Sequence, residues 1–539
     1  MGRHRIDRAF LIVAVVFCVY ASLFIYRTSF VIDGERYFSL FDDAMISMRY
    51  ARHFADGDGL VWNVGEERVE GYTNLLWTLY MSALHLVPVA KSKTSLLVQV
   101  SSALFLLLNL IVVKKIACAV SGNSRLVWLG AVLVTAFYLP LNGWSLQGME
   151  VGVLALLLSL AALAAIRSLQ GGRFSIRPYV LLLIGMLVRL DIAVPFLGLL
   201  IFMAAADRAH RRRHLLVGIS LFAAAGLGQT IFRSLYYGEF LPNSYYLKIT
   251  GYPFFLRLTR GLYVAFVFIW RLNWVLFLVP FVLLVGKRMK ATVLMFTFFL
   301  VQIAYSIYVG GDAWESWGGS NRYISIAMPL FFVAFFCGVG KLGSLAEKLI
   351  LAARPEAGGE QMRSYAWRAW LVVVVLSCVS FNAIYGPAAI TEVLLFKRTL
   401  HVDKNEKMVE RALVVSKITG DDASIAVVWD GAIPYFSNLN TVSILGKNDK
   451  RIARLRMRTT SGPERLVAFY PGHLKWDYAY SIGELRPDVV VQLWQDPDDA
   501  SGFLERDYIP ATLDGFTFNL LKGSPNIRWD RVWSLATGG

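Results

Sequence analysis

Long apolar runs recur along the first 390 or so residues, near 10–31, 95–113, 126–141, 150–166, 178–191, 193–206, 215–235, 262–286, 291–309, 323–340 and 369–388. A helix needs about 20 largely apolar residues to cross the hydrocarbon core of a bilayer. The pattern therefore predicts a polytopic α-helical membrane protein of about eleven spans, with 178–191 and 193–206 the shortest pair. One more segment, "YTNLLWTLYMSALHLVP", is apolar but short; it is either a twelfth span or an interfacial helix. Beyond residue 389 the apolar runs shrink to strand length in "ASIAVVWDG" (423–431), "DVVVQLW" (488–494) and "GFTFNLL" (515–521), while "NEKMVERALVVSKI" (405–418) keeps helical spacing. The chain thus divides into a transmembrane region, 1–389, with a large first loop at about 32–94, and a soluble α/β domain, 390–539. It has no internal repeat or low-complexity tract, and "ARPEAGGEQ" (353–361) is too short to be a domain.

Loop charge orients the spans. Basic residues cluster at "RHR" near the start, Lys114–Lys115, Arg173 with Arg177, "HRRRH" (210–214), "GKRMK" (286–290) and between Lys341 and Arg368. If 73–87 does not cross, all of these fall on one side, the cytoplasmic side by the positive-inside rule. That puts the N-terminus inside, 73–87 at the outer face and the C-terminal domain outside. The outer face then collects the acidic first loop, "LNGWSLQGME", "YYGEFLPNSYYLKITGY", "VGGDAWESWGGSNRY" and the tail. The initial "MGRHRIDRAFLIVAVVFCVYASLFIY" has the basic start of a signal peptide, but no small-residue cleavage site follows, so it reads as an uncleaved first span.

Composition agrees. The chain is 56% hydrophobic and 17% charged, against about 25% charged in soluble proteins. A net charge of +16 fits basic cytoplasmic loops facing anionic lipid, and no motif for nucleic acid accompanies it. Cys18, Cys118, Cys337 and Cys378 lie in or beside apolar runs and form neither a disulfide framework nor a metal site. Zinc-protease, redox-pair, serine-hydrolase and Walker motifs are absent.

The chemistry concentrates in the outer segments. "FDDAMISMRYARHFADGDGLVWNVGEERVEGYTNLLW" (41–77) carries Asp42, Asp43, Asp56, Asp58, Glu66, Glu67 and Glu70. An acidic residue at a helix start favours the macrodipole, which accounts for one of Asp42 and Asp43 better than for the pair; the alternative is a general base for a hydroxyl acceptor. Glu70, Tyr72 and Asn74 either cap the next helix or contact sugar hydroxyls. Arg189 and Asp191 sit in an apolar stretch, where charge is paired or functional. Either they neutralise each other, or Arg189 meets an anionic headgroup. Lys248, in "EFLPNSYYLK" with Asn243 and Tyr246, either snorkels or binds a lipid phosphate. "YVGGDAWESWGGSNRY" offers Asp312 and Arg322, with Trp314 and Trp317 as interfacial belt residues. In the tail, Asp430 is either a turn residue or a ligand contact.

These blocks resemble the polyprenyl-phosphate-dependent glycosyltransferases of the GT-C fold. More narrowly, they resemble the bacterial arabinofuranosyltransferases, of the mycobacterial terminal β-1,2-arabinofuranosyltransferase type. The matching blocks are the acidic first loop, "GEFLPNSYYLK", "GGDAW" with "NRYISIAMPL", "DGAIPYF" with "LGKNDKRIAR", and "PGHLKWDYAYSIGELRPDVV". One departure is "RLD" at 189–191, where relatives often read Arg-Pro-Glu. The resemblance implies an inverting transfer from a polyprenyl-phosphate-linked sugar, arabinofuranose by the narrower match, to a glycan or pilin-like protein acceptor. Asp42 or Asp43 takes the acceptor proton; Arg189, Lys248 and Arg322 hold the donor phosphate. Glu70, Tyr72, Asn74, Asn243, Tyr246, Asp312 and His473 contact sugar or acceptor. No cofactor is required; the surplus carboxylates Asp56, Asp58, Glu66 and Glu67 are the candidates for a structural divalent cation. A mannosyl or other hexosyl donor is the same-class alternative, and a flippase of lipid-linked sugars the alternative of another class.

Overall fold

The computed structural model describes residues 7–285, 289–315, 321–353, 359–383, 386, 389–398, 402–458, 466 and 469–537; Trp317 and part of the 353–361 loop lie outside them. The membrane region opens with α1 (Arg8–Thr28), capped by the Asp7 carboxylate on the Ala9 N–H. A small hairpin follows, β1 (Phe30–Ile32) and β2 (Glu35–Tyr37), then α2 (Asp42–Asp56) and α3 (Leu75–His85). Next come α4 (Lys91–Ser121), α5 (Arg125–Ala136), α6 (Leu139–Leu146), α7 (Val151–Gly171), α8 (Arg177–Val188) and α9 (Ala193–Ala206). They are followed by α10 (Arg211–Tyr237), α11 (Asn243–Lys248), α12 (Phe254–Arg271), α13 (Trp274–Leu278), α14 (Lys290–Val309), α15 (Arg322–Ser325), α16 (Met328–Ala353) and α17 (Gly359–Asn382).

Each of the eleven apolar runs is helical, but not all as simple spans. Among the described residues seven helices are long and apolar enough to cross a membrane: α1, α4, α7, α10, α14, α16 and α17. Two further runs are broken, α5 with α6 by 47° and α12 with the segment reaching Leu284 by 99°. The expected short pair is two short apolar helices, Arg177–Val188 and Leu190–Ala206. The α5–α6 break has a local cause. Pro140 cannot continue the backbone ladder, and Asn382 accepts from the freed Leu139 N–H at 2.7 Å and donates to the Phe137 carbonyl at 2.9 Å. Helix α3, the doubtful segment, is roughly 16 Å long at 1.5 Å per residue, about half a bilayer core. It packs on α2, and the Trp77 indole donates to the Gly148 carbonyl at 3.0 Å.

After α18 (Ala389–Val393) comes the α/β part: α19 (Val402–Ile418), β3 (Ser424–Val427), α20 (Ala432–Ser437), β4 (Asn440–Ser443), α21 (Lys450–Ala453), β5 (Val489–Val490), α22 (Asp498–Asp507), β6 (Tyr508–Leu513), β7 (Phe516–Leu521) and α23 (Trp529–Thr537). Its five strands run in the order β4-β3-β5-β7-β6; β3 is parallel to β4 and β5, and β7 is antiparallel to β5 and β6. Alternation along β3 explains why helices cover both faces. Ile425 and Val427 pack with Val409, Ala412 and Val415 of α19, while Ala426 and Val428 pack with Ile482, Val490 and Ala500. The expected strand at 488–494 is shorter than its apolar run, being Val489–Val490, with the Val491 N–H still donating to the Ala426 carbonyl of β3 at 2.9 Å. Strands β4 and β6, and the β1–β2 hairpin, lie outside the runs expected from hydropathy.

The two parts are joined through α2, buried from Ala44 to Ala51. Arg49 is the central fastener. Fully enclosed, it donates to the carbonyls of Trp62 (2.8 Å), Pro434 (2.6 Å) and Leu439 (2.9 Å) and to the Asn63 side chain (3.0 Å). A guanidinium's planar fork suits this set, since each donor meets an oxygen without a carboxylate.

Candidate active site

A cavity of about 380 Å³ opens where α2, the α8–α9 break, α11, the end of α14, α15 and the C-terminal domain meet. One wall is polar: Asp43, Asn74, Arg189, Lys248, Asp312, Arg322, Lys447 and His473. The rest of the lining includes an apolar set, Leu190, Ala193, Val194 and Leu241, with Tyr305 and Tyr308. The apolar wall reaches the surface, where Leu241, Tyr245 and Tyr308 are exposed.

Asp43 begins α2 and faces this cavity. Its Oδ2 accepts from Arg322 at 2.9 Å, and its Oδ1 lies 3.4 Å from the Lys447 ammonium. Burial pushes its acidity down, but Lys447, Arg322 and Lys248 outweigh burial and hold the carboxyl well below the usual carboxylate range. Asp42 points the other way and does not line the cavity. Its Oδ1 accepts the Gly431 N–H at 3.0 Å, and its Oδ2 is 3.7 Å from Lys447. Burial, helped by Asp43, pushes Asp42 up to about 6 against the pull of Lys447. The adjacent carboxylates are thus split by environment into an ionised one in the cavity and a less acidic one in the domain junction.

The cations differ in commitment. Arg322 binds Asp312 through Nε (2.9 Å) and a terminal nitrogen (3.2 Å), besides Asp43. Arg189 is bidentate to Asp191 (3.0 and 2.7 Å) and donates to Glu150 at 2.7 Å. Its pairing with Asp191, one of the two readings of "RLD", is therefore present, although Arg189 also forms cavity wall. Lys248 makes no hydrogen bond or ion pair among the described residues; burial, with Arg322, pushes its ammonium down to about 8 against Asp43 and Asp312. It is the uncommitted positive charge of the cavity.

His473 closes the far end. It is buried, packs on Tyr470 at 4.2 Å and on Trp314 and Trp429 at about 6 Å, and burial pushes its imidazole well below the ordinary value. Its Nδ1 lies 3.2 Å from the Pro471 carbonyl, so the neutral ring carries its proton there. Nε2 is an acceptor with no partner among the described residues, on a ring that lines the cavity.

The cavity thus gathers Asp43, Arg189, Lys248, Arg322, Tyr72, Asn74, Asp312 and His473 from the residues singled out in sequence. It does not include Glu70, Asn243 or Tyr246, which line a small neighbouring crevice. Each has another task. Glu70 neutralises buried Arg233 at 2.6 Å. Asn243 donates to the carbonyls of Gly446 and Lys447, both at 2.9 Å. Tyr246 lies under the Arg454 guanidinium at 4.1 Å. Asp430 does not line the cavity either; it accepts from the Ser443 (2.5 Å) and Asn448 (2.8 Å) side chains. Asp56, Glu66 and Glu67 pair with Arg52, Asn63 and Lys450, and among the described residues no three Asp, Glu, His or Cys side chains converge as metal ligands would. The four cysteines are unpaired. Sequence reading missed Lys447, Glu150 and Arg49. A Lys in a Gly-Lys-Asn-Asp turn carries no local signal that it meets Asp43, 404 residues away.

Residues 398–532 match a family model described as a domain of unknown function (DUF8728). No curated protein matches the chain in sequence. The structure is similar to ArnT from Cupriavidus metallidurans in the apo state, with a TM-score of 0.54 at 16% identity over 97% of this chain and 98% of that one. It is also similar to the Archaeoglobus fulgidus oligosaccharyltransferase AglB in complex with an inhibitory peptide and a dolichol-phosphate, with a TM-score of 0.51 at 10% identity over 97% of this chain and 74% of that one. The chain shares the GT-C fold of these membrane glycosyltransferases, with a C-terminal α/β sheet, and is a multi-pass membrane protein by the same likeness and its apolar helices.

Proposed function

We propose that this protein is an inverting glycosyltransferase that takes a sugar from a polyprenyl-phosphate donor at the outer face of the membrane. The observation that carries the reading is one cavity in which an ionised carboxylate, Asp43, and an uncommitted ammonium, Lys248, face an apolar wall that opens to the protein surface. A polyprenyl phosphate has the matching halves, an anion for Lys248 and Arg322 and a hydrocarbon chain for the wall of Leu190, Val194 and Leu241. The fold supports it, because AglB of the same fold is described with a dolichol-phosphate.

In the reaction the acceptor hydroxyl attacks the anomeric carbon, the bond to the phosphate oxygen breaks, and the hydroxyl proton passes to Asp43. The phosphate leaves with the bonding electrons, and Lys248 and Arg322 meet the charge that develops. These cations also restrain Asp43. As they turn toward the leaving phosphate, their hold on Asp43 loosens and its basicity rises when the proton must move. The neutral Nε2 of His473 accepts a hydrogen bond from a sugar or acceptor hydroxyl, and Tyr72, Asn74 and Asp312 complete the polar wall. Arg189 acts on the donor phosphate through the same wall while Asp191 and Glu150 fix its orientation. Asp42 bonds the Gly431 N–H at the domain junction and Asp43 lines the cavity, which supports Asp43 as the base. The donor sugar is arabinofuranose by the resemblance of the first loop, and the acceptor an extracytoplasmic glycan or pilin-like protein.

The test is transfer by the purified protein in nanodiscs, with synthetic polyprenyl-phosphoryl-arabinofuranose beside the mannosyl donor and an arabinan-like acceptor. Product from the arabinose donor, lost in Asp43→Asn and kept in Asp42→Asn, supports the reading. Turnover of the mannosyl donor alone keeps the mechanism and overturns the sugar. Donor lipid crossing the bilayer of sealed proteoliposomes without transfer would establish the flippase alternative instead.

A further inference from the structure

The loop Gly446–Asp449, between β4 and α21, is held more firmly than a connecting turn requires. Asn243 of α11 donates to the Gly446 and Lys447 carbonyls, both at 2.9 Å. Tyr50 of α2 donates to Asn448 Oδ1 at 2.9 Å, and Asn448 Nδ2 donates to Asp430 at 2.8 Å. Asn448 Oδ1 lies so close to Gly71 that a Cβ there would sit 1.6 Å from it. Two membrane-region helices, the first loop and the sheet thus converge on four residues. The only side chain of that loop reaching the cavity is Lys447, itself nearly buried and 5.5 Å over the Trp429 ring.

Resting on the glycosyl-transfer reading, we propose that Lys447 is a positioning residue of the transfer site, supplied by the C-terminal domain. Its ammonium holds Asp43 from the side opposite Arg322, so that the base is set only when the two parts are docked. The geometry is a clamp: Arg322 on Oδ2 at 2.9 Å and Lys447 on Oδ1 at 3.4 Å, one cation from each part of the chain. Lys447 also lies 3.7 Å from Asp42, so the same charge keeps two adjacent carboxylates ionised together. The groups facing it are the carboxylates of Asp42, Asp43 and Asp430 and the neutral ring of His473, while the cations Arg322 and Lys248 of the same cavity act on Asp43. Without Lys447, Asp43 keeps Arg322 and Lys248 while Asp42 keeps only the backbone N–H groups of Gly431 and Ala432, and like charges so close resolve by taking up a proton. A domain match without assigned function, residues 398–532, would thereby gain a role in the reaction it accompanies.

The experiment compares wild type, Lys447→Met and Lys447→Arg, full length in nanodiscs, in kcat and donor KM from pH 5 to 9, with thermal unfolding over the same range. Lys447→Met should lose at least about tenfold in kcat at pH 7 with donor KM changed less than about threefold, as for a group that acts through the base. The acid limb of the wild type lies below this pH range, because Asp43 is held well below the usual carboxylate range; in Lys447→Met it should move up into the range, and Lys447→Arg should regain most of the rate. The unfolding temperature of Lys447→Met should fall with rising pH over a window whose upper edge lies higher than in wild type, since the carboxylate pair now ionises later in the folded protein. An unmoved acid limb, or equal loss in the Met and Arg variants, overturns the proposal. The unfolding profile judges it independently: if that window does not move in Lys447→Met, the proposal fails whatever donor is used. A wild type that turns over no polyprenyl-phosphoryl sugar, with the window moved, would overturn the transferase reading alone.

Discussion

Asp42 and Asp43 are neighbours in sequence with opposite environments, and that contrast gives the sharpest predictions at the residue scale. Asp43→Asn should lower kcat by about 10²–10⁴, the usual contribution of a general base, as read by radiolabelled transfer. It should also destabilise the protein at neutral pH by about 3 kcal/mol, because Arg322 and Lys447 lose a buried partner. Asp42→Asn should do neither. Asp42 is raised to about 6, so the folded protein binds its proton more tightly than the unfolded chain does. Its ionisation therefore costs stability as pH rises from about 4 through 6, and the cost is fully present at pH 7. The Asn variant should unfold at a higher temperature than wild type at pH 7.5 and lose that advantage near pH 4; scanning fluorimetry in detergent would decide it. Lys248→Ala should raise donor KM by about 10–100-fold, the worth of one charge-assisted contact to phosphate, and equilibrium binding of the polyprenyl phosphate alone should weaken in parallel.

At the scale of elements, the junction between α2 and the α20 turn decides whether the site forms. Gly431 approaches α2 so closely that a Cβ would meet the Asp42 carbonyl at 2.3 Å and its Oδ1 at 2.4 Å. Backbone atoms cannot yield as a side-chain tip does, so Gly431→Ala should push the C-terminal domain off α2. The expected result is transfer reduced at least about tenfold, with trypsin releasing the domain faster than from wild type. Unchanged proteolysis and rate would show that the junction tolerates a shift. The breaks between helices are equally local in origin. Arg189 leaves the helical region where α8 ends, which turns its side chain to the cavity instead of the lipid. The hairpins β1–β2 and β6–β7 turn on Asp33–Gly34 and Asp514–Gly515, both pairs left-handed. "IDGE" and "LDGF" carry the Asp-Gly signal for such turns, so β1, β2 and β6 were legible in sequence though hydropathy marked only β7 among them as a strand.

For the whole molecule, the docking of the C-terminal domain against α2 and α3 ties its sidedness to that of the first loop. The basic clusters argue that this face is extracytoplasmic. With the native cysteines replaced, a cysteine at exposed Ser501 should react with a membrane-impermeant maleimide in intact cells, and one at exposed Arg212 only after permeabilisation. The reverse pattern would invert the topology and move the transfer reaction to the cytoplasmic face.

The sequence by itself determined the helical membrane region, the α/β character of the tail and the chemical types that a lipid-phosphate site needs. Each of these follows from local composition and periodicity, which a residue carries wherever it folds. Tertiary structure alone decided which members of that set meet. Glu70, Asn243 and Tyr246 look like sugar contacts in the strip of sequence, yet buried Arg233, the carbonyls of 446–447 and Arg454 claim them. Arg49 reads as one more basic residue of an amphipathic helix until Pro434 and Leu439 arrive to accept from it. Asp42 and Asp43 separate only because successive helical positions lie about 100° apart, so one faces the cavity and the other the Gly431 turn. Lys447 joins them from 404 residues away, since burying charge demands a partner and the fold, not the spacing, supplies it.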